Sequence, residues 1–337
     1  MIDIPVSGGE TIIDRPLRYN VIRNALYIPK DKSIWYDNDP NWGIFDNDDL
    51  VRDAAYIRGP GDTLVGQSWK KTLSPRDIKY LQGVYVYGGS MQPHYGHFLF
   101  DSIARFWHNE RNFKFIVQGP VGLDDWFSYE FVSEIFGTIG ISRSDFLRPE
   151  EPCFIENLIV PEPSIIETHS VHDDYGHLGT KIGHHLVPDV RYQGTPVYVS
   201  KRELKRGIWA AENEDVVEAL LSKRGVKIVH PQKLSLADQI RMFAEHIVVG
   251  LEGSAFHTAA ITPVQTKSII IVKFAHKISN FTLIDKIKHN DVTYISDGKC
   301  FENVGKVGEI DAMFRIPDPV AIAEDVLREI DRMSSGA

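Results

Sequence analysis

The sequence predicts an α/β fold with two doubly wound domains that face a cleft. From residue 83 onward, short apolar runs typical of buried strands alternate with segments of helical periodicity. This alternation implies parallel sheets covered by helices. It is interrupted at residues 161–192 and then resumes, and a chain of 337 residues is too long for most single cores. We therefore predict two successive domains, one at 81–190 and one at 191–315.

The first domain is expected to contain three strands and two helices. In chain order these are a strand at 84–87, a helix at 94–108, a strand at 113–117, a helix at 126–139 and a strand at 154–160. Residues 1–80 combine Asp, Asn, Pro and Trp with short apolar patches such as 25–28 and 63–65. We interpret them as an irregular, β-rich decoration of this domain.

The second domain has clearer helix boundaries. Asn213 is expected to cap a helix that Gly225 ends, and Ser235 with Asp238 opens the next one. The expected elements are strands at 196–199, 226–229, 247–249 and 268–273, helices at 213–224 and 235–244, and a C-terminal amphipathic helix within 316–337. Residues 161–192, rich in Pro, Gly and His, are interpreted as an interdomain connection or mobile loop.

Composition excludes several classes of protein. With 43% hydrophobic and 25% charged residues the chain is ordinary globular material, and its net charge of −9 argues against a nucleic-acid partner. Cys153 and Cys300 cannot build a disulfide framework, which fits a reducing compartment. The longest apolar runs are strand-sized, and no signal peptide is visible. We therefore expect a cytoplasmic protein, compatible with peripheral association with the inner face of a membrane.

The loop 250–257 (GLEGSAFH) follows an apolar strand and leads into a helical pattern. Glycines at such a turn let the backbone approach a ligand, and the helix N-terminus offers unpaired N–H groups to an anion. This arrangement suits a nucleotide diphosphate. The alternative is an ordinary tight turn of an α/β domain, since short glycine motifs recur by chance.

A basic segment, 200–206 (SKRELKR), directly follows another strand. The planar guanidinium group of arginine suits diphosphate oxygens, so Arg202 and Arg206 are the candidates. Lys201 and Lys205 are interpreted as surface residues. The alternative for the whole segment is a basic surface turn in which Glu203 pairs locally.

The helix at 94–108 carries a polar stripe at helical spacing: His94, His97, Asp101, Arg105 and His108. A His–Asp pair one turn apart suits general base chemistry. One alternative is a solvated face with an Asp101–Arg105 ion pair. Another is a zinc hydrolase that uses His94, His97 and Asp101, although ligands at this spacing on one straight helix spread too far for a tight site.

In this combination the chain resembles glycosyltransferase family 61, whose members include bacterial enzymes of capsular and surface polysaccharide synthesis. Three segments carry the resemblance: 97–101 (HFLFD), the arginines of 200–206 followed by Asn213-Glu214, and 235–257 with its glycine loop. At 252–254 this chain has Glu-Gly-Ser where the family often has His-Gly-Ala.

The resemblance implies a GT-B-like fold of two Rossmann-type domains and an inverting glycosyltransferase without a cofactor or an essential metal. Its partners would be a nucleotide-sugar donor, with UDP expected, and an oligosaccharide or glycolipid acceptor. The C-terminal helix would pack back on the N-terminal domain. The implied site comprises Asp101 and His97 as catalytic residues; Arg202, Arg206, Glu252, Gly253, Ser254 and His257 at the donor; and His94, Arg105 and His172 at the acceptor. The remaining alternative is a non-catalytic carbohydrate- or nucleotide-binding protein of the same fold.

Overall fold

The computed structural model describes residues 4–32, 41–59, 63–64, 67, 78–108, 112–296 and 298–335. The chain divides into two compact units. Gly8–Leu178 forms the N-terminal unit, and Gly179–Ala337 together with Met1–Ser7 forms the C-terminal unit. Residue 65, part of a predicted apolar patch, lies outside the described residues.

The strands are numbered along the chain. They are β1 (Val6–Ser7), β2 (Thr11–Ile13), β3 (Tyr19–Ile28), β4 (Gly43–Asp46), β5 (Asp49–Leu50), β6 (Ile57–Arg58), β7 (Thr63–Leu64), β8 (Lys79–Ser90), β9 (Lys114–Gln118), β10 (Phe146–Leu147), β11 (Cys153–Pro161), β12 (Ile165–Ile166), β13 (Ser170–His172), β14 (Pro196–Val199), β15 (Arg206–Ala211), β16 (Lys227–Val229), β17 (Ile247–Leu251), β18 (Lys267–Ile271), β19 (Lys277–Ile278), β20 (Asp291–Ile295), β21 (Glu302–Val307) and β22 (Glu309–Arg315).

The helices are numbered in the same way. The α-helices are α1 (Tyr95–His97), α2 (Leu123–Phe127), α3 (Glu130–Thr138), α4 (Asp173–Leu186), α5 (Glu214–Ser222), α6 (Leu236–Glu245), α7 (Ser279–Lys288) and α8 (Pro319–Ser335). Short 3-10 helices occupy Arg52–Ala54, Arg143–Asp145, Pro231–Lys233 and Ser254–Ile261, and a π-helical turn spans Phe98–Ser102. No helix within the described parts of the chain has both the length and the apolarity that crossing a bilayer requires.

The main sheet of the N-terminal unit is mixed, which corrects the prediction of a wholly parallel sheet. Its described strands run in the order β10-β9-β8-β11-β3-β4-β5. The first four are parallel, whereas β3, β4 and β5 pair antiparallel. The antiparallel strands come from the first 50 residues, where polar residues and turns hide the strand pattern. Among these strands, the sequence showed an apolar run only at residues 25–28, the end of β3, and those residues are buried.

The sheet of the C-terminal unit is parallel, as its alternating pattern predicts. Its strands run in the order β16-β14-β17-β18-β20, which is the 2-1-3-4-5 order of a doubly wound fold. Gly250 lies where β17 pairs with β14. A Cβ there would lie 2.6 Å from Cγ2 of Val199, so only glycine lets these strands approach. In this strand order, ligands bind beyond the carboxyl ends of the first and third strands, here β14 and β17.

The predicted connection at 161–192 is largely regular structure, because it contains β12, β13 and the 14-residue helix α4. Gly179 and Gly183 explain why the sequence reads as a loop. A Cβ at Gly179 would lie 1.8 Å from the carbonyl oxygen of Ala260, and one at Gly183 would lie 2.5 Å from that of Ile261. The glycines therefore allow α4 to contact the backbone of the 3-10 helix, and they are not turn residues.

Helix α8 contributes to the core of the C-terminal unit. Its buried residues Ile322, Val326 and Ile330 pack with apolar residues of that unit's parallel sheet. An amphipathic pattern shows which face of a helix is buried but not against what, and the expected packing of α8 on the N-terminal domain stays a prediction.

The helix caps follow the predictions in part. Ser235 caps α6, because its hydroxyl accepts a hydrogen bond from the N–H of Asp238 at 3.1 Å. Asn213 precedes α5 but does not cap it. Its amide group instead pairs with the backbone N–H and C=O of Ile316, both at 2.9 Å, and so ties α5 to the segment before α8.

Candidate active site

The predicted helix at 94–108 is interrupted after one turn. Helix α1 ends at His97, a π-helical turn follows, and the N–H of Ile103 bonds to the carbonyl of Phe98 at 3.2 Å. Tertiary contacts account for this break. The hydroxyl of Ser102 donates to the carbonyl of Ser90 at 2.8 Å, and Ser164 donates to the carbonyl of Ala104. The five residues of the predicted polar stripe therefore do not share one helix face.

The break brings His97 and Asp101 together with Glu167. One ligand-type atom from each residue lies within 4.8 Å of the others. Glu167 follows β12 in a tight turn, where the next residue, Thr168, has a φ of 53°. This left-handed conformation is unfavourable for a β-branched residue, and strain of this kind is typical of functional sites. Turns at π-helical irregularities also often carry functional residues.

The carboxylate of Glu167 contacts both His97 and Arg58. Nδ1 of His97 lies 3.4 Å from Oε2, Nε of Arg58 lies 2.8 Å from the same oxygen, and Nη2 of Arg58 donates to Oε1 at 3.1 Å. Burial raises the pKa of Glu167, but the hydrogen bond and charge of His97 with the charge of Arg58 outweigh it, so this pKa falls well below its usual range. Burial opposes protonation of His97, but Glu167 prevails and raises the pKa of the imidazole.

Asp101 has the opposite shift. Burial, and next the negative charge of Glu167, raise the pKa of Asp101 above its ordinary value, although His97 and Arg58 counteract the shift. Its Oδ2 is buried and finds no hydrogen-bond partner among the described residues. A carboxylate that has a raised pKa and an oxygen without a hydrogen-bond donor is a stronger base than an ordinary aspartate. Proton abstraction near neutral pH requires such a base.

A cavity beside Asp101 limits how substrate can reach it. The cavity has a volume of ≈ 30 Å³ and is lined by residues that include Tyr56, Asp101 and Arg105. A void of about 10–15 Å³ suffices for one water molecule. This cavity therefore has room for water but not for a sugar, and 27% of the side chain of His97 is exposed to solvent.

The three predicted acceptor residues have different positions. His94 is exposed next to α1, and its ring centroid lies 5.4 Å from that of His97. Arg105 is buried, donates to the carbonyl of Pro161 and lies 5.2 Å from the ring of Tyr87. His172 is buried on β13, and burial lowers its pKa. Of these three residues only His94 is exposed, and the acceptor roles of all three stay predictions.

In the C-terminal unit the two predicted donor segments are neighbours. Lys201 follows β14 and Glu252 follows β17, the strands that flank the expected ligand position. Nζ of Lys201 donates to the carbonyl oxygen of Glu252 at 2.6 Å. Glu214 fixes the start of the basic segment, because its carboxylate accepts from the N–H of Lys201 at 3.2 Å and from the hydroxyl of Tyr198 at 3.0 Å.

The two predicted arginines, Arg202 and Arg206, are both exposed. Arg202 is exposed and forms an ion pair of 3.1 Å with Glu218 on α5. Arg206 is the first residue of β15, exposed and in register with Glu309. Lys201, interpreted from the sequence as a surface residue, occupies the position next to the glycine loop instead.

The loop residues lie where an anion could contact them. Gly253 and Ser254 are partly buried, and Ser254 begins the 3-10 helix whose first N–H groups have no partner within the helix. Glu252 is buried, and burial raises its pKa. His257 is on the same helix and packs on Phe281, with ring centroids 4.8 Å apart.

The sequence reasoning missed Glu167, Arg58 and Lys273. Glu167 and Arg58 reach the cluster only through the tertiary fold, and no spacing relates them to His97. Lys273 had a usable signal, since it follows the end of β18 just as Lys201 follows the end of β14. The carboxyl ends of neighbouring parallel strands meet at one edge of a sheet.

The cluster also has the composition of a metal site. Among the described residues, His97, Asp101 and Glu167 form the group that could supply three ligand atoms to a divalent cation. Arg58, however, already forms an ion pair with Glu167 and donates one hydrogen bond from Nη2 to Oε1. A guanidinium group at this position opposes a second positive charge.

The segment that contains His97, Asp101, Glu167 and the glycine loop matches a known protein family. The chain belongs to glycosyltransferase family 61, whose family model matches residues 95–269, just over half of its length. Membership implies a sugar donor and an acceptor. A comparison with curated proteins finds no match.

Proposed function

We propose that this protein is an inverting, metal-independent glycosyltransferase that moves a hexosyl or pentosyl group from a nucleotide-diphosphate donor to a glycan hydroxyl in polysaccharide synthesis. UDP is the expected nucleotide, and the predicted GT-B arrangement of Rossmann-type domains is part of the proposal. The observation that carries it is Asp101, a carboxylate of raised pKa with an unpartnered buried oxygen, in the segment matched by the family.

In this mechanism Asp101 accepts the proton of the acceptor hydroxyl, and the oxygen attacks the anomeric carbon of the donor. The bond from that carbon to the diphosphate breaks, and the diphosphate leaves with the electron pair. Glu167 favours the protonated form of His97 beside Asp101, because it raises the pKa of the imidazole. Glu167 and Arg58 thereby position His97, whose charge keeps the pKa of Asp101 from rising further.

The C-terminal unit would stabilise the leaving diphosphate. Positive charge after β14 and the N–H groups at the start of the 3-10 helix Ser254–Ile261 are the groups suited to this role. Glu252 would accept a hydrogen bond from a ribose or sugar hydroxyl. Arg202, Arg206 and His257 remain proposed donor contacts.

A thermal-shift screen with UDP, GDP, CDP and CMP, followed by a transfer assay with the best nucleotide's sugars, tests this function. We expect one nucleoside diphosphate to stabilise the protein and its sugar to be transferred with inversion, as anomer-resolved NMR of the product would show. Nucleotide binding with neither transfer nor donor hydrolysis would select the non-catalytic alternative. Transfer with retention of configuration would reject the general-base mechanism.

A zinc hydrolase is the second candidate, because the ligand atoms of His97, Asp101 and Glu167 lie within 4.8 Å of one another. The sequence pattern had suggested His94 in place of Glu167. Metal analysis of the purified protein decides between the two functions. Stoichiometric zinc, with activity abolished by chelation and restored by zinc, would favour the hydrolase, whereas full transferase activity in excess chelator supports metal independence.

A further inference from the structure

Two lysines of the C-terminal unit converge on one tryptophan. Nζ of Lys201 lies 3.5 Å from the ring centroid of Trp209, and Nζ of Lys273 lies 4.9 Å from the same centroid. Lys273 also lies 4.3 Å from the ring of Phe274 and 4.6 Å from that of Phe314. Aromatic rings therefore replace water around both ammonium groups, and cation–π attraction recovers only part of the lost hydration.

Neither ammonium group forms an ion pair with a carboxylate in the part of the chain that the structure describes. Burial lowers the pKa of Lys201 to about 7 and also lowers that of Lys273. Glu252 is the acidic residue between them in sheet order, but burial raises its pKa too, so it is a weak counter-charge. Two desolvated cations with so little compensation favour the binding of an anion.

A second group points to a ligand at the same place. The side chain of Glu252 is 3% exposed, and its Oε2 finds no hydrogen-bond partner among the described residues. A buried acceptor without a partner is costly unless a ligand donates to it. The glycine loop adds backbone donors next to Lys201, since a Cβ at Gly253 would lie 2.9 Å from Nζ of that lysine.

We propose that Lys201 and Lys273, together with the backbone of the Glu252–Ser254 loop, form an anion site at the carboxyl edge of the C-terminal sheet, and that this site takes the diphosphate of the sugar donor. The diphosphate assignment rests on the proposed function. Glu252 then accepts from a hydroxyl of the bound donor. Arg202 is not required, because Glu218 already pairs with it at 3.1 Å.

Calorimetric titration of the full chain with inorganic pyrophosphate tests the site independently of the nucleotide base. Loss of one charge-assisted hydrogen bond costs about tenfold or more in affinity, so Lys201→Met and Lys273→Met should each lose at least that. The control, Lys205→Met, removes an exposed lysine from the same segment and should bind like the wild type. Unchanged affinity in both folded variants would overturn the proposal.

Two further measurements cover the case in which a methionine variant does not fold. Lys201→Arg keeps the charge and should retain pyrophosphate binding within a few-fold. Wild-type binding of sulfate, which does not titrate near neutrality, should weaken as the pH rises through about 7. Lys201 loses its proton near this pH, and the charges of Glu214, Glu252 and Lys273 act on its pKa. Sulfate affinity that is constant from pH 6 to pH 8.5 would exclude Lys201 as an anion ligand.

The same titrations separate this inference from the proposed function. Binding of UDP and transfer of its sugar, with no loss in the lysine variants, would reject the site and leave the function standing. Pyrophosphate binding that depends on both lysines, in a protein without nucleotide binding or transfer, would reject the function and leave the anion site standing.

Discussion

The imidazole of His97 lies 3.4 Å from the carboxylate of Glu167, a residue from a distant part of the N-terminal unit. The two carboxyl groups near this imidazole have pKa values shifted in opposite directions. His97 and Arg58 keep Glu167 ionised, whereas desolvation and the negative charge of Glu167 raise the pKa of the partly buried Asp101. Two carboxyl groups whose pKa values are driven apart are a common sign of divided acid–base roles.

Asp101→Asn tests the base. The variant keeps the size and the hydrogen-bonding shape of the side chain but cannot accept the proton, so we expect kcat to fall by about 100-fold or more. Donor affinity should be nearly unchanged, because Asp101 belongs to the unit that does not carry the proposed donor site. Steady-state kinetics and nucleotide titration measure the two quantities. The matched control is Asp48→Asn in an exposed turn, and equal kcat in both variants would refute the assignment.

Glu167→Gln tests whether Glu167 positions His97. Without the carboxylate the pKa of His97 should fall, and kcat should decrease by about tenfold or more because the base loses its ordered neighbour. NMR titration of the His97 ring gives the pKa directly. A purely structural role would lower stability and the pKa of His97 but leave the kcat of the folded variant unchanged.

The same pair predicts how stability depends on pH. Because the folded-state pKa of His97 is raised, its contribution is complete below about 6.5, the ordinary histidine value, and is lost as pH rises through the folded value. The pKa of Glu167 is lowered, so its contribution is complete above about 4.3 and is lost as pH falls through the folded value. In Glu167→Gln we therefore expect the free energy of unfolding to vary less with pH, both below about 4.3 and above about 6.5.

Gly179→Ala tests the contact between α4 and the 3-10 helix. The new Cβ would lie 1.8 Å from the carbonyl oxygen of Ala260, so the helices must separate. Overpacking of this kind costs about 1–3 kcal/mol, and a backbone clash lies at the upper end. The control is Gly137→Ala in α3, where no atom lies within 4 Å of the added Cβ and a gain of about 0.5–1 kcal/mol is expected. Urea unfolding that ranks the two variants in the reverse order would contradict the packing.

Asp285→Asn tests a buried carboxyl group on α7. Burial raises the pKa of Asp285 to about 7, although it accepts a hydrogen bond from Tyr294 at 2.6 Å. Its stabilising contribution is therefore present below the ordinary value of about 3.9 and is lost as pH rises through about 7. We expect the gain of the variant over the wild type to be about 2–3 kcal/mol larger at pH 8 than at pH 5. The exposed Asp189→Asn is the control, and a gain independent of pH would exclude ionisation as the cause.

The sequence predicted well where local pattern decides structure. The parallel strands of the C-terminal unit, the cap at Ser235 and the placement of Lys201 and Glu252 after neighbouring strands all follow from apolar periodicity and chain order. The proximity of His97 and Asp101 was also predictable, because they lie within one short motif. Their neighbour Glu167 could not be found, because only the turn after β12 brings it to them.

The errors have a shared physical cause, since in each a tertiary contact overrides a local preference. Ser102 bonds to the carbonyl of Ser90 at the end of β8, and Ser164 bonds to the carbonyl of Ala104, which a longer helix would use for its own hydrogen bond. Gly179 suggests a loop by composition but serves close packing inside α4. Asn213 has the type of a capping residue, yet its amide bonds to Ile316. Periodicity and propensity contain no information about these distant partners.

Strand β1 pairs in parallel with β19, so Val6 lies opposite Lys277 although most of the chain separates them. The C-terminal unit therefore recruits a strand that is translated long before the rest of its own sequence. During synthesis β1 has no pairing partner until residues beyond 270 have been made, whereas the N-terminal unit can already fold. A bulky tag placed directly before β1 would disturb the pairing of β1 with β19 in the unit proposed to bind the donor. A tag after α8 is therefore the better choice for enzymology.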